Sequence, residues 1–144
     1  MLKSKLIHPE ILQALAGSGH FSQVLIADGN YPIVSGTNPT TKRVFLNLSP
    51  GTVSALEVLD AVLSAIPVQE ATTMTPPEDF HPEIHDQYKA MLDDGLPWTE
   101  MERYAFYDKI KSPDTTLAIA TGEQRRFANL LLTVGVVKLP EESF

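Results

Sequence analysis

Along this chain, stretches in which apolar side chains recur every three or four residues alternate with short stretches in which they run unbroken. Ile11, Leu12 and Leu15 share one face at helical spacing, which predicts a short helix over Pro9–Ala16 stopped by Gly17 and Gly19. Residues 24–27 are continuously apolar, the pattern of a strand buried on both faces. Asn30, Pro32 and residues 35–41 read as loop, and residues 44–48 as a second strand. Val53, Leu56, Leu59, Leu63 and Ile66 trace an amphipathic helix over residues 53–66, ended by Pro67.

A third strand follows over residues 68–74, broken by Pro76 and Pro77. Pro82 suits the first position of a helix over residues 82–93, with Asp79 or His81 marking its start. Thr99 and Glu102 have capping-box spacing and predict a helix over residues 100–111. Residues 115–121 and 130–137 read as strands, the last interrupted by Gly135, and the tail beyond Pro140 reads as loose. Helices and strands alternate without repeat or linker. The expectation is an α/β fold, a single compact domain over residues 1–144.

Composition narrows the functional classes. The 144 residues are 43% hydrophobic and 20% charged, an ordinary globular mix. Eleven Lys and Arg against eighteen Asp and Glu give a net charge of −7, which repels phosphate backbones and argues against nucleic acid. The absence of cysteine excludes disulfides, thiol nucleophiles and zinc–cysteine sites, and fits a cytoplasmic location. No run approaches the ~20 apolar residues of a membrane span, so no membrane association is expected. The start, MLKSKLIHPEIL, is basic but lacks a long apolar region and is not read as a signal peptide.

The chemistry-bearing residues gather around a few short stretches. In GSGHFSQVLIADGNYP (17–32), His20 and Asp28 stand at the two ends of an apolar run. His20 is either a loop histidine bonded to backbone or a general acid–base, since its free pKa is about 6.5. Asp28 is either a turn aspartate or a ligand contact at the carboxyl end of a buried strand, where open α/β sheets bind ligands. His81 and His85 in HPEIH are four apart, but Pro82 stands where a zinc-protease helix has glutamate, and two ligands make no metal site. GSGH lacks the GK[ST] ending of a phosphate loop. Arg103 and Tyr107 share a helix face, either as an ordinary amphipathic surface or as an arginine beside an aromatic wall for a polyol. TGEQRRFAN (121–129) is either a solvated loop or a pocket rim.

Taken together, three segments resemble the D-ribose pyranase / L-fucose mutarotase family: GSGHFSQVLIADGNYP, RYAFYDKI (103–110) and TGEQRRFANLLLTVGVV (121–137). The first is similar to the pattern G-H-x(7)-D-x-x-[FLY]-P, the last to G-E-x-x-x-Y-x-N-[IL]-[IL]-L-x-x-G-V, and RYAFY is closer to the fucose branch. The resemblance implies a small, cofactor-free, metal-free α/β enzyme acting on free monosaccharides. It also implies a homo-oligomeric ring, with a decamer as the candidate number. It makes His20 the proton donor and Asp28, Arg103, Phe127 and Asn129 the sugar contacts. Phe127 departs from the family's tyrosine and loses one hydroxyl donor and acceptor.

Such a reaction needs only proton movement. The ring oxygen gains a proton as the C1–O5 bond breaks, and the anomeric hydroxyl loses one as the carbonyl forms. His20 would exchange the proton, with Asp28 orienting it or binding sugar hydroxyls. Arg103 would donate, Phe127 would stack on the sugar face and Asn129 would fix a hydroxyl. Two other readings stand beside this one: a non-catalytic monosaccharide-binding protein associated with uptake, and, last, a metal-dependent isomerase around His81 and His85. Phe21, Tyr31 and Phe45 are the candidate contacts with a neighbouring subunit.

Overall fold

A computed structural model describes residues 1–142. Its elements in chain order are α1 (Pro9–Ala16), β1 (Gln23–Ala27), β2 (Lys42–Phe45), α2 (Ala55–Leu63) and β3 (Val68–Met74). They continue with α3 (Glu83–Met91), β4 (Trp98–Met101), α4 (Arg103–Ile110), β5 (Thr115–Ala120) and β6 (Leu130–Val134). The strands form one sheet in the order β2-β5-β1-β6-β3-β4. β6 runs antiparallel to both its neighbours, β1 and β3, and every other pair is parallel.

The unbroken apolar run of β1 follows from its central place. Val24 and Ile26 pack into a core shared with α1, α2 and α3. Leu25 and Ala27 face the other way, into a smaller core with Phe106 and Ile110 of α4 and Tyr31 and Ile33 of the following loop. Successive side chains of a strand point to opposite faces, so a strand covered on both sides has no polar alternation to show.

Several expected boundaries move for local reasons. α2 starts at Ala55 because Ser54 and Glu57 form a reciprocal capping box. β2 is shifted earlier than residues 44–48, since Leu46 leaves the ladder after one bond to the Ala120 carbonyl. β6 ends at Val134, where Gly135 turns to the carbonyl of Pro67. Neither Asp79 nor His81 caps α3; Pro82 occupies that position without a side-chain bond. The Thr99–Glu102 capping box does not form. Thr99 lies in β4 and donates to Glu70, while Glu102 itself caps α4 by accepting from the N–H groups of Tyr104 and Ala105. β4, which the spacing did not suggest, pairs Thr99 with Thr72 at the sheet edge. Of the tail beyond Pro140, Glu142 closes a turn with Leu139, and Ser143 and Phe144 lie outside the described residues. No helix among the described residues is long and apolar enough to cross a membrane.

Candidate functional site

The carboxyl ends of β1, β3 and β4 and the amino end of β6 lie on one edge of the sheet, and four of the five expected site residues meet there. Asp28 follows β1, Arg103 opens α4 just after β4, and Phe127 and Asn129 precede β6. With Met74, Tyr107 and Arg126 they line a cavity of about 250 Å³. That volume falls below the range of about 300–1,000 Å³ usual for drug-sized ligands and suits a monosaccharide. Arg103 and Tyr107 face it together, as their spacing suggested, and the 121–129 segment forms its rim. Larger clefts of about 430 and 440 Å³ lie alongside, the second sharing Asp28.

Asp28 fills the turn role and also borders the cavity. Its Oδ1 accepts from the N–H groups of Asn30 and Tyr31 at 2.9 and 3.0 Å, the turn role. The residue is buried, and it lines the cavity. Burial raises its pKa above the ordinary carboxylate value. The N–H groups of Asn30, Tyr31 and Ala128 pull the other way, and the charge of Glu123 adds to the rise.

Asn129 is set by its neighbour across the ladder. Its Oδ1 accepts from the Asp28 N–H at 2.8 Å, so its amide N–H₂ is the end left for a ligand. Phe127 has φ 61°, left-handed backbone that a bulky residue seldom adopts. Two groups of α3 hold that backbone: His85 Nε2 donates to the Phe127 carbonyl and Tyr88 Oη donates to the Ala128 carbonyl, each at 2.6 Å. The Phe127 ring packs 5.6 Å from that of Phe80. Tyr107 brings a hydroxyl to the same cavity, and it meets no acceptor among the described residues.

An ion pair between a buried glutamate and an exposed arginine anchors the rim. Arg125 grips Glu123 through Nε at 3.0 Å and Nη2 at 3.1 Å, and Glu123 also accepts from the N–H of Ala55 at the start of α2. Burial alone would raise the Glu123 pKa, but Arg125 and the backbone donors outweigh it and hold the carboxyl below its usual value. Gly122 lies so close to the carbonyl oxygens of Thr52 and Ser49 that a side chain there would collide with them.

His20 is not in this cavity. It sits before β1, at the opposite end of the strand from Asp28, and β1 alone spans about 13 Å. Its Nε2 donates to Gln69 Oε1 at 2.8 Å, and its ring stacks on Phe21 at 3.9 Å. Gln69 lies near the amino end of β3, whereas Met74 at the other end lines the cavity. Asp28 therefore does not orient His20 within one chain. Within one chain, the strand between His20 and Asp28 keeps the two from lining the same cavity.

The other histidines serve structure. His81 Nε2 meets Asp86 Oδ2 at 2.6 Å and His85 is turned to Phe127, so the two rings of HPEIH hold different partners. Burial lowers the His85 pKa, its bond to the Phe127 carbonyl acting the other way. No group of three or more His, Asp or Glu among the described residues is placed to hold a metal.

The model of the RbsD / FucU transport protein family matches residues 1–137. The chain belongs to the RbsD/FucU family. It is similar to D-ribose pyranase 2 of Streptomyces griseus, with 33% identity over 138 residues covering 94% of this chain and 98% of that protein. It is also similar to the fucose mutarotase of Danio rerio, with 31% identity over 147 residues covering 93% and 91%. Among solved structures, the Streptococcus pneumoniae fucose mutarotase in complex with L-fucose matches with a TM-score of 0.77 and 30% identity over 92% of this chain and 95% of that one. Bacillus subtilis RbsD complexed with D-ribose matches with a TM-score of 0.81 at 20% identity over 96% and 100%, a likeness of fold. Within this RbsD/FucU fold, Asn30 and Pro32, read as loop, and Tyr31, read as a neighbour contact, also line the cavity, and two further lining residues were missed, Arg126 and Met74. The first lay in a stretch read only as a rim, and the second in a strand whose end gave no sign of facing a ligand.

Proposed function

We propose that the chain is a cofactor-independent isomerase that interconverts the anomers, or the pyranose and furanose forms, of a free monosaccharide by general acid–base ring opening. The observation that carries this is the convergence of Asp28, Arg103, Tyr107, Phe127 and Asn129 on one monosaccharide-sized cavity, in a chain of the RbsD/FucU family. Relatives named for D-ribose and for fucose make sugars of these classes the substrates to try. The proposed place of action is the cytoplasm.

Ring opening needs one group to give a proton and another to take one. Asp28, with its raised pKa, is the pocket's own acceptor. The donor we assign is His20 of a second copy of the chain. His20 lies on the edge of the sheet opposite the pocket, beside the exposed Phe21 ring, as expected if that turn docks on a neighbour. Head-to-tail contact of this kind is heterologous and closes into a ring when the rotation permits. Phe45 is exposed and available for such contact, but Tyr31 is not. It is buried in its own chain with Oη donating to the Gly36 carbonyl at 2.7 Å, which corrects its place among the candidate neighbour contacts.

A second reading is favoured by one observation: the single-chain pocket holds no histidine. On that reading the protein binds a monosaccharide without converting it. Proton-NMR saturation transfer between the anomers of L-fucose, D-ribose and L-rhamnose separates the two. Faster exchange with protein present supports the isomerase; line broadening without faster exchange supports the binder and overturns it.

A further inference from the structure

Three arginines stand near the cavity, and only one is committed within the protein. Arg125 spends its donors on Glu123 and, through Nη1 at 2.6 Å, on Gln87. Arg103 and Arg126 both line the cavity and are exposed, and neither donates to any acceptor among the described residues. Arg126 lies over the Phe80 ring, 4.9 Å from its centroid, and Phe80 packs in turn on Phe127. The aromatic face holds the cation at the rim while leaving its N–H donors unused. Glu102, beside Arg103 in sequence, turns its Oε2 to the N–H groups of Tyr104 and Ala105 at 3.0 and 3.1 Å.

Asp28 is the one carboxylate lining the cavity among the described residues. Two arginines thus line a cavity with one carboxylate, on a chain whose net charge is −7, and Glu102 borders the adjoining cleft with Arg103. A guanidinium fork matches carboxylate and phosphate oxygens two at a time, whereas one sugar hydroxyl uses a single donor.

We propose that the pocket takes an anionic monosaccharide, carrying a carboxylate or a phosphate, with Arg126 and Arg103 binding the anion while Asp28, Phe127 and Asn129 hold the ring. The inference rests on reading this cavity as the sugar site. It makes Arg126 a specificity-determining residue that differs from the neutral-sugar contacts in what it recognises.

The test uses sugars that differ only in the charged group: D-galacturonate against D-galactose, and D-ribose 5-phosphate against D-ribose. Affinity is read by NMR titration, and anomer exchange by saturation transfer, on the full chain. The anionic member of at least one pair is expected to bind roughly 10- to 100-fold more tightly at low salt, the size of a charge-assisted hydrogen-bond pair. Which pair shows it tells carboxylate from phosphate. Arg126→Gln should cut the anionic-to-neutral affinity ratio about tenfold, and Arg126→Lys, which keeps the charge, should retain most of it. Equal affinities within both pairs, or an Arg126→Gln variant that weakens both members alike, would overturn the inference. Faster exchange of neutral sugars with no anionic preference sinks this inference and leaves the isomerase standing. Selective anionic binding with no exchange of any sugar does the reverse.

Discussion

His85 donates from Nε2 to the carbonyl oxygen of Phe127 at 2.6 Å, and so a fully packed helix residue fixes the backbone of a pocket residue 42 positions later. Tyr88, one turn on, does the same for Ala128. Left-handed backbone at a bulky residue costs roughly 1–2 kcal/mol, so Phe127 needs these bonds to stay where it is. His85→Ala should lose about 1–3 kcal/mol of stability through the orphaned carbonyl, read by urea denaturation. It should also weaken sugar binding about tenfold, and His85→Gln, which restores a donor, should recover most of that. Binding unchanged in the alanine variant would show that the bond supports the fold alone.

The buried state of His85 also sets a pH dependence. Burial lowers its pKa below the free value, so the unfolded chain takes up the proton first as pH falls. Stability contributed by neutral His85 is present above about pH 6.5 and declines as the pH drops toward the folded-state pKa. Wild-type denaturation midpoints should therefore fall from pH 7 to pH 5 more steeply than those of His85→Gln. Parallel curves would contradict this.

Asp28 behaves in the opposite sense. Its folded pKa is raised, so its contribution is fully present below the unfolded value of about 3.9 and is lost as pH rises through the folded pKa. At pH 7 the protein holds a carboxylate that it would keep more easily neutral. Asp28→Asn preserves an oxygen for the N–H groups of Asn30 and Tyr31 and removes the charge. The variant should be at least as stable as wild type at pH 7 and lose most anomer exchange. A clear loss of stability at pH 7 would mean that the charge itself holds the turn.

The sequence made the core legible where one physical signal dominated. β1 was readable because it packs on both faces, and α1 because Pro9, Ile11 and Leu15 agree on one helix. β4 was hidden because it is an edge strand of only four residues, and because Thr99 and Glu102 imitate a cap. Each of those residues is in fact used, by Glu70 and by the start of α4 respectively. The pocket contacts Asp28, Arg103, Phe127 and Asn129 were found through the resemblance, and the fold brings them together. Their grouping with Arg126 and Met74 depends on β6 inserting antiparallel between β1 and β3, and nothing local in the chain encodes that order. The separation of His20 from Asp28 was implicit in the very run that linked them, since an extended strand carries its two ends apart.

The Glu123–Arg125 pair should report on the rim. Glu123 is 7% exposed and Arg125 41% by side chain, so the arginine's charge is partly screened while the glutamate depends on it. Arg125→Met should destabilise by about 1–2 kcal/mol at pH 7, less than the 3–5 kcal/mol of a fully buried pair. Because the Glu123 pKa is held low, this contribution is present above the unfolded value of about 4.3 and is lost as pH falls through the folded pKa. The wild-type and variant denaturation curves should thus converge in acid. A difference that persists at pH 3 would assign it to packing of the arginine stem instead.

The placement of His20 yields the most demanding prediction. If each site takes His20 from one chain and Asp28 from its neighbour, His20→Ala and Asp28→Asn are defects in different halves of the same site. Each variant alone should have lost most anomer exchange. Unfolded together and reassembled from an equal mixture, they should regain about a quarter of wild-type activity, since one interface in four pairs two intact halves when a ring mixes at random. A single-chain site predicts no recovery at any ratio, because every chain then carries one broken half. Recovery that depends on mixing, and that vanishes when the variants are assembled separately and combined afterwards, would place the histidine of one subunit in the pocket of the next. No recovery, in a protein that runs at the ~16 kDa of one chain on gel filtration, would return the search for the proton donor to the pocket's own Asp28 and Tyr107.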